Sequence, residues 1–501
     1  MDKDIEQLNK FDEIIQDFSK SFGLDFFPQE FDSIPAQKML EIISYHFPVN
    51  FSHWSFGRDY ELERTKYEYG YGIPYEVVLN SNPSRAYLMN TNPLPVQVMV
   101  MSHVYAHNDF MKTNIYFKPT RRDIIASASG AAIRFQEYEK KFGLDKVEQL
   151  IDAGSSIEMN VDPDFFITDE DEEQQLERLK NPLAKPEQPG QFADLISGKK
   201  RIETCDKGLD KTPLEPERDI LLYIQNHSPK PLKDWEKDIL SVLRDQSRYF
   251  FPQRRTKIMN EGWASYWHTR IMNKLLQSGH LNQEDHGYFN LYNARVLAVN
   301  PRVMNPYLVG LKIFEDIEER WNKGQYGKDW EECKDSKIKE EWNLHTNQGL
   351  SKIFSIRKSY SDRFFIEHFL TEKLVEDLQL YLYEGHAKGE IIDYEIMTKD
   401  WKIIRKMLVA HLGTFGVPII YVEDGDYKGR RELYLRHAYD GIELDKEYRE
   451  KTLENIYYLW GRPVHIESKI EDDRNIVYVF DGSSHLTRST FENNTGIKIK
   501  F

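Results

Sequence analysis

The sequence predicts an α+β protein that is mainly helical over residues 1–388 and ends in a small α+β domain at 389–501. Apolar residues recur at three- and four-residue spacing in 234–249 and 259–276, which is typical of amphipathic helices. After Gly389 the pattern changes to short apolar segments that alternate with helical ones. A chain of 501 residues also exceeds the size at which one core stops growing, so we expect at least two domains.

The N-terminal region contains one small mixed segment among its helices. Residues 75–83 predict a strand that runs into an Asn-Pro turn. Residues 98–112 predict a buried helix, because their apolar side chains are nearly continuous. A further helix is expected at 123–142, where Gly143 provides a stop signal.

Residues 164–217 differ in composition from the helical segments on either side. Acidic residues are concentrated at 169–173, and prolines interrupt the remainder at positions 182, 186, 189 and 213. Few apolar groups are available there to be buried, so the segment predicts a long surface excursion between helices.

The C-terminal segments predict a β-α-β-β-α-β order with one added strand, which is the ferredoxin-like pattern. Strands are predicted at 391–397, 417–423, 430–437, 463–468 and 475–480, and helices at 401–412 and 446–460. Asp424, Gly425 and Asp426 predict the turn between the second and third strands. The predicted C-terminal domain is therefore a ferredoxin-like α+β unit.

The composition favours a cytoplasmic protein that does not bind polyanions. The net charge is −15, and 40% of the residues are apolar, which suits a folded and soluble chain. The sequence shows no basic stripe, so nucleic acid is not an expected partner. The acidic start lacks the features of a secretory signal, and the apolar segment 96–101 is too short to span a membrane. Cys205 and Cys333 cannot build a disulfide framework, which favours a reducing compartment.

His103 and His107 are the first residues whose spacing indicates chemistry. Four residues apart on a helix, they lie on one face at a distance of about 6 Å. Helical zinc enzymes present two nitrogen ligands in this way. The alternative is a pair of core or surface histidines, since the chain contains 15 histidines.

A second segment supplies the third ligand of the expected site. Residues 259–267, Met-Asn-Glu-Gly-Trp-Ala-Ser-Tyr-Trp, are similar to the Asn-Glu-Gly-Phe-Ala segment of gluzincin aminopeptidases, in which the glutamate is a zinc ligand on a second helix. The resemblance implies a zincin-like helical domain with His103, His107 and Glu261 as metal ligands. Zinc is the expected divalent metal, iron or manganese would also suit this set, and one coordination position stays open. The alternative is that Glu261 only stabilises the first turn of its helix.

The residue after the first histidine departs from the hydrolase pattern. Zinc hydrolases carry a glutamate there as general base, whereas this chain has Val104, which cannot take a proton. Glu139, on the next helix, and Glu76, beside the Asn-Pro turn, are candidates for the missing catalytic group. His268, on nearly the same helix face as Glu261, is a candidate for an acid or for a group that orients a ligand. For Glu139, Glu76 and His268 the alternative is an ordinary ion pair or hydrogen bond.

Blocks along the chain extend the resemblance beyond one motif. They are 56–61 (Phe-Gly-Arg-Asp-Tyr-Glu), 75–83, 103–114, 251–268 and 299–310. These blocks resemble the stage V sporulation protein R (SpoVR) family. The resemblance implies a cytoplasmic protein of sporulation or stress that is involved in spore cortex formation. The partners it implies are a PrkA-type serine protein kinase and a von Willebrand-type protein.

Two functions from different classes remain open at the level of sequence. The first is a metal-dependent hydrolase that cleaves an amide or peptide bond, with the metal acting as a Lewis acid that activates water. The second is a catalytically inactive regulatory or scaffold protein whose C-terminal domain binds a partner. The histidine pair and Glu261 favour the enzyme, and Val104 favours the scaffold.

Overall fold

The computed structural model describes residues 2–49, 51–69, 76–162, 217–300, 303–388, 391–470 and 474–489. The chain divides into two compact units. The first contains Met1–Glu137 and Tyr249–Gly416, and the second contains Tyr138–Arg248 and Val417–Phe501. The excursion predicted at 164–217 lies, except for Glu217, outside the described residues.

Helices predominate among the described residues. In chain order they begin with α1 (Asp2–Ser21), α2 (Ala36–Ser44), α3 (Trp54–Glu68), α4 (Leu94–Thr113), α5 (Ile124–Phe142), α6 (Leu144–Ser155), α7 (Ile220–His227), α8 (Asp234–Arg255) and α9 (Lys257–Gln277). They continue with α10 (Gln283–Val296), α11 (Pro306–Lys323), α12 (Lys328–Glu332), α13 (Ser336–Glu341), α14 (Gly349–Ser359), α15 (Asp362–Phe369), α16 (Glu372–Asp377), α17 (Trp401–Thr414) and α18 (Lys446–Trp460). The strands are β1 (Gln29–Ile34), β2 (Glu76–Leu79), β3 (Ser84–Met89), β4 (Leu382–Lys388), β5 (Ile391–Thr398), β6 (Ile420–Tyr427), β7 (Glu432–His437), β8 (Val464–Ile470), β9 (Arg474–Phe480) and β10 (His485–Ser489).

α4 is the central helix of the first unit. All of its residues from Pro95 to Met111 are buried, so the buried helix predicted at 98–112 is confirmed. α1, α9, α10 and α14 pack around it, and α9 also packs closely against α11. Although α4 is largely apolar, no helix in the described part of the chain is long and apolar enough to cross a membrane.

A three-stranded sheet lies beside α4 in the first unit. β3 is its central strand and pairs parallel with β1 and antiparallel with β2. The predicted Asn-Pro turn, at Asn82–Pro83, lies between β2 and β3. Glu76 is the first residue of β2, so this sheet brings a carboxylate to the histidines of α4.

The C-terminal sheet belongs to the second unit and has the strand order β10-β9-β8-β7-β6. Neighbouring strands are antiparallel except for β7 and β8, which are parallel and joined through α18. α18 packs against β8, β9 and α6. A helical unit together with this sheet confirms the predicted α+β class.

The order of elements in this sheet differs from the ferredoxin-like order that the sequence predicts. The strand predicted at 391–397 is β5, and it pairs with β4 in a separate two-stranded sheet of the first unit. A hairpin partner close in sequence costs less loop-closure entropy than a distant strand. The five-stranded sheet therefore has the order β-β-α-β-β-β. The units divide between Gly416 and Val417, and the boundary at 388–389 stays a prediction about independent folding.

Candidate metal centre

His103 and His107 occupy the face of α4 that meets α9. Their ring centroids are 4.5 Å apart, and the rings are nearly perpendicular. Both residues are buried, because α4 is enclosed on every side. The four-residue spacing on a helix thus brings the two imidazoles together, as the sequence predicts.

Glu261 reaches the histidines from the first turns of α9. The start of α9 is fixed by Asp362, whose carboxylate accepts hydrogen bonds of 2.8 and 2.9 Å from two backbone N–H groups of the first turn. Oε2 of Glu261 lies 3.3 Å from Nε2 of His107 and 3.5 Å from Nε2 of His103. The structure therefore brings together the three residues predicted as metal ligands.

Glu76 joins these residues from β2, and we call the four of them the histidine–glutamate cluster. Oε1 of Glu76 lies 3.8 Å from Nε2 of His103. Glu76, His103 and His107 offer ligand atoms within 4.8 Å of one another that could hold a metal ion. The side chains of Glu76 and Glu261 are 15% and 17% exposed, against 6% and 7% for the two histidines. The cluster is therefore open to solvent on its glutamate side.

Two atoms of the cluster test whether a metal fits it. Nε2 of His103 and Oε2 of Glu261 are buried and have no hydrogen-bond partner among the residues that the structure describes. Buried polar atoms in proteins are nearly always paired, and a further group bound between these two atoms would satisfy both. Imidazole nitrogens and carboxylate oxygens are the donors that bind zinc, iron and manganese. The residues present therefore fit a divalent transition metal.

The ring nitrogens on the other side of each histidine are hydrogen-bonded. Nδ1 of His107 donates to Oδ1 of Asn260 at 2.9 Å. Nδ1 of His103 lies 2.8 Å from Nδ1 of His268, and Nε2 of His268 donates to Oδ1 of Asn293 at 2.9 Å. Such bonds fix the orientation of a ligating imidazole and direct its free nitrogen to the metal.

Burial and neighbouring charges shift the pKa values of the two glutamates in opposite directions. Burial raises the pKa of Glu76, an effect that Glu261 reinforces and the histidines oppose. Burial would also raise the pKa of Glu261, but the imidazoles of His103 and His107 close to its carboxylate outweigh burial and hold the pKa well below its ordinary value. One carboxyl group of the cluster can thus hold a proton while the other stays ionised.

The pKa values of the two neighbouring imidazoles also diverge. Burial lowers the pKa of His107, but the nearby carboxylate of Glu261 outweighs burial and raises the pKa above its ordinary value. Burial, followed by the charge of His103, lowers the pKa of His268 to about 3. His268 is therefore neutral near pH 7, and its role at the cluster is to make hydrogen bonds.

The Asn-Glu-Gly segment of α9 serves the cluster at each of its three positions. Asn260 orients His107, and Glu261 supplies the carboxylate. Gly262 lies where α9 crosses α11, and a Cβ added to it would lie 2.3 Å from the carbonyl carbon of Gly310. Since only glycine permits this approach of the two backbones, Gly262 sets the depth at which Glu261 enters the cluster.

A second group of buried side chains joins α4 and α9 to α14, and we call Asp109, Trp263 and Arg357 the aspartate cluster. Oδ2 of Asp109 accepts a hydrogen bond of 2.8 Å from Nε1 of Trp263. Both carboxylate oxygens of Asp109 accept from Nη1 of Arg357, at 2.5 and 2.6 Å, and Oδ1 accepts from the backbone N–H of Asp25 at 2.7 Å. Because Asp109 lies on α4, Trp263 on α9 and Arg357 on α14, the aspartate cluster fixes three helices to one another.

Of the three residues predicted to be catalytic, the structure places Glu76 and His268 at the candidate metal centre and Glu139 in the other unit. Glu139 lies on α5 and belongs to the second compact unit. Burial raises the pKa of Glu139, and the negative charge of Glu148 adds to the shift. The positive charge of Lys140 opposes this shift.

Two residues beside the cluster were not found by sequence reasoning. The ring of Tyr307 stacks on His103 with a centroid distance of 6.0 Å and an interplanar angle of 28°. Tyr307 lies in the block 299–310, so the family resemblance contained a signal for it. Asn293 lies on α10 outside every block, and nothing in its sequence context indicated its contact with His268.

Comparison with known proteins assigns this chain to a family. Residues 2–417, which include every member of the cluster, match the family described as SpoVR like protein. The chain belongs to the SpoVR family. Residues 418–471 match the SpoVR-like C-terminal domain, and this match begins next to Val417, where the C-terminal segment of the second unit starts. The resemblance found in the sequence blocks is thus confirmed, and it supports an association with sporulation.

A relative of this SpoVR protein occurs in Escherichia coli (strain K12), where it is described as Uncharacterized protein YcgB. The two are 28% identical over 481 residues, which is 91% of this chain and 90% of the relative. No solved structure matches the chain. The similarity of residues 259–267 to gluzincin aminopeptidases stays a prediction.

Proposed function

We propose that this SpoVR protein is a metal-dependent hydrolase that cleaves an amide or peptide bond. The observation that supports the proposal best is that Nε2 of His103 and Nε2 of His107 both lie within 3.5 Å of Oε2 of Glu261, with two of these three atoms lacking a hydrogen-bond partner among the described residues. Two histidines and a glutamate with an open position are typical of hydrolytic metal sites. Zinc is the proposed ion, and iron or manganese would suit the same donors.

The metal and the protein contribute different parts of the proposed reaction. A bound divalent metal supplies Lewis acidity towards a carbonyl group and towards water. His103 and His107 would hold it through Nε2, and Glu261 would hold it through Oε2. Because the cluster is more exposed at its glutamates than at its histidines, substrate and water approach from the side of Glu76 and Glu261.

Glu76 is the proposed general base. Its Oε1 lies at the edge of the cluster, 3.8 Å from Nε2 of His103, and its raised pKa suits a group that takes a proton from water and passes it to the leaving amine. Val104, at the position that carries the base in zinc hydrolases, is fully buried in the core. The base therefore comes from β2 and not from α4.

One observation favours a second candidate, the catalytically inactive regulatory or scaffold protein. Val104 leaves the usual base position without a carboxylate, and Glu76 is close enough to His103 to be a fourth ligand. Four protein ligands would close the site and make the metal structural. In this form the protein would work in the cytoplasm with a PrkA-type serine protein kinase and a von Willebrand-type partner during spore cortex formation.

The two candidates differ in what Glu76 does, and one substitution separates them. The purified chain, loaded with zinc, iron or manganese, is incubated with simple peptides and with peptidoglycan stem peptides, and cleavage is followed by mass spectrometry. As a base, Glu76→Gln should lower hydrolysis by about 100-fold or more while the metal content stays close to that of wild type. Glu367→Gln, at an exposed position on α15 of the same unit, is the matched control and should change neither quantity.

Either of two results would contradict the hydrolase. A Glu76→Gln protein that loses its metal would identify Glu76 as a ligand and the site as closed. Wild-type protein that holds its metal and cleaves no amide substrate would favour the scaffold.

A further inference from the structure

A chain of three hydrogen-bonding groups ends on the ligand His103. It begins at Oδ1 of Asn293 on α10, which is 2.9 Å from Nε2 of His268 on α9. It continues from Nδ1 of His268 to Nδ1 of His103 on α4, at 2.8 Å. Asn293 has no role in the proposed reaction. The hydrogen bonds from Asn293 through His268 to His103 connect α10, α9 and α4 at one point.

The direction of each hydrogen bond follows from the chemistry of the groups. An amide oxygen can only accept, so Nε2 of His268 carries the proton that Asn293 receives. A buried imidazole whose hydrogen-bond partners are an amide oxygen and another imidazole, as in His268, is neutral, because an unpaired charge there would be costly. Neutral His268 therefore has a lone pair on Nδ1, which accepts from Nδ1–H of His103. His103 is left with a lone pair on Nε2, the nitrogen that lies 3.5 Å from Oε2 of Glu261.

We propose that Asn293 is a positioning residue that sets, through His268, the tautomer in which His103 binds the metal. The metal-binding part of this inference rests on the proposed function, whereas the tautomer is a property of the metal-free protein. Ligating histidines more often donate to a carboxylate or a backbone carbonyl. A neutral imidazole in that place orients His103 without adding a negative charge beside Glu261 and Glu76.

The surroundings of His268 allow Asn293 to act in this way. His268 is buried, at 2% exposure, so water does not compete for its ring nitrogens. Phe289, one helical turn before Asn293 on α10, packs edge-on against the ring of His268 with a centroid distance of 6.0 Å and an interplanar angle of 87°. α10 thus fixes both the plane of the His268 ring and the nitrogen that holds its proton.

The tautomers can be read directly by long-range ¹H–¹⁵N NMR of the full-length, metal-free protein labelled at histidine, with signals assigned by single histidine substitutions. We expect His103 to carry its proton on Nδ1 and His268 to carry its proton on Nε2. Asn293→Leu should abolish the single tautomer of His268 and weaken zinc binding by about 10- to 100-fold. Asn293→Gln keeps a neutral amide oxygen as acceptor and should preserve more of both properties than Asn293→Leu.

Asn290→Leu is the matched control, because Asn290 lies on the same helix, is exposed and contacts His286 instead of the cluster. It should leave the tautomers and the dissociation constant for zinc unchanged. A metal-free wild type with the proton of His103 on Nε2 would overturn the inference, as would equal zinc binding by Asn293→Leu and Asn290→Leu. A wild type with the expected tautomers that binds no zinc, iron or manganese would overturn the metal-binding role together with the proposed function.

Discussion

Asp109 and Glu261 lie on the two helices, α4 and α9, that meet at the candidate metal centre, and the surroundings of the two carboxylates differ. Asp109 is fully buried, and both of its oxygens accept hydrogen bonds from Arg357, with Trp263 as a further donor. Glu261 faces two imidazoles, and its Oε2 has no hydrogen-bond partner among the described residues. The aspartate cluster therefore contains a permanent cation, whereas the histidine–glutamate cluster has only imidazoles, which can lose their protons.

The comparison shows how a structural carboxylate can be told from one that awaits a ligand. Arg357 cannot lose its proton, so Asp109 has a permanent charged partner. The imidazoles beside Glu261 can become neutral and then offer lone pairs, which cannot stabilise a carboxylate. A buried carboxylate without a permanent cation is costly unless a cation is supplied, and a metal between Glu261 and the histidines would supply it.

The largest expected effect is the loss of Asp109. Asp109→Ala leaves the guanidinium of Arg357 buried without a counter-charge, so the free energy of unfolding should fall by about 3–5 kcal/mol. Urea unfolding of the metal-free protein measures this change in the free energy of unfolding. The double variant Asp109→Leu with Arg357→Leu removes both charges and should lose much less than the single variant. A loss below about 1 kcal/mol in Asp109→Ala would show that the aspartate cluster does not hold the helices together.

A smaller effect is expected at Gly262, which sets the depth of Glu261. The Cβ of Gly262→Ala would meet the backbone of Gly310 at 2.3 Å, and a backbone cannot rotate away as a side chain can. Overpacking of this kind costs about 1–3 kcal/mol in the free energy of unfolding. Gly130→Ala is the control, because its Cβ on α5 would meet only Nη1 of Arg134, at 3.7 Å. Alanine there should stabilise the helix by about 0.5–1 kcal/mol, and equal effects at the two glycines would refute the close crossing.

Asp362 extends the comparison to a buried carboxylate whose partners are backbone N–H groups. Burial outweighs these two hydrogen bonds and raises the pKa of Asp362 from 3.8 to about 8. The folded state then binds more protons at Asp362 than the unfolded state between these two values. The contribution of Asp362 to stability is therefore fully present below pH 4 and is lost as the pH rises to about 8, by at most about 1.4 kcal/mol per pH unit.

Asp362→Asn should remove this dependence, because an amide does not ionise. Denaturant unfolding between pH 4 and pH 8 measures the slope. Asp400→Asn, at the exposed start of α17, is the matched control and should leave the wild-type slope in place. An unchanged slope in Asp362→Asn would show that another group is responsible.

The smallest effect on the metal-free protein is expected from Glu261→Gln. His107 can release its proton when the charge of Glu261 is removed, whereas Arg357 stays protonated when Asp109 is removed. The free energy of unfolding measured with a chelator should therefore change by about 1 kcal/mol or less. A loss as large as that of Asp109→Ala would show that the histidine–glutamate cluster is a structural ion pair and would remove the distinction between the clusters.

Local signals account for the parts of the fold that the sequence predicts well. α18 was predicted at 446–460 and spans Lys446–Trp460, because both ends carry their own signals. Asp445 caps the start by accepting from the backbone N–H of Tyr448, and Gly461 ends the helix in the left-handed conformation, with φ 77°. No local signal specifies the strand with which β5 pairs, because β5 could form hydrogen bonds either with β4 or with an edge of the C-terminal sheet. The ferredoxin-like order was therefore wrong although β5 itself was found.

The residues of the candidate site also divide into those that local sequence signals predict and those that depend on tertiary packing. Helical spacing put His103 and His107 on one face, and the similarity of residues 259–267 to a known motif pointed to Glu261. Glu139 lies on the helix that follows the histidine pair in sequence. Proximity in sequence does not determine the unit to which a side chain belongs, and Glu139 belongs to the second unit. The contact between Asn293 and His268 depends on how α10 packs against α9. This packing is a long-range property that the local sequence around Asn293 does not reveal.

The metal content of protein purified without a chelator tests the central claim most directly. By inductively coupled plasma mass spectrometry, wild type should contain about one equivalent of zinc, iron or manganese. His103→Ala, His107→Ala and Glu261→Gln should each lose most of it, while Glu139→Gln, in the second unit, should retain it. The account would be contradicted by a wild-type protein that contains no such metal and whose melting temperature does not change when zinc, iron or manganese is added.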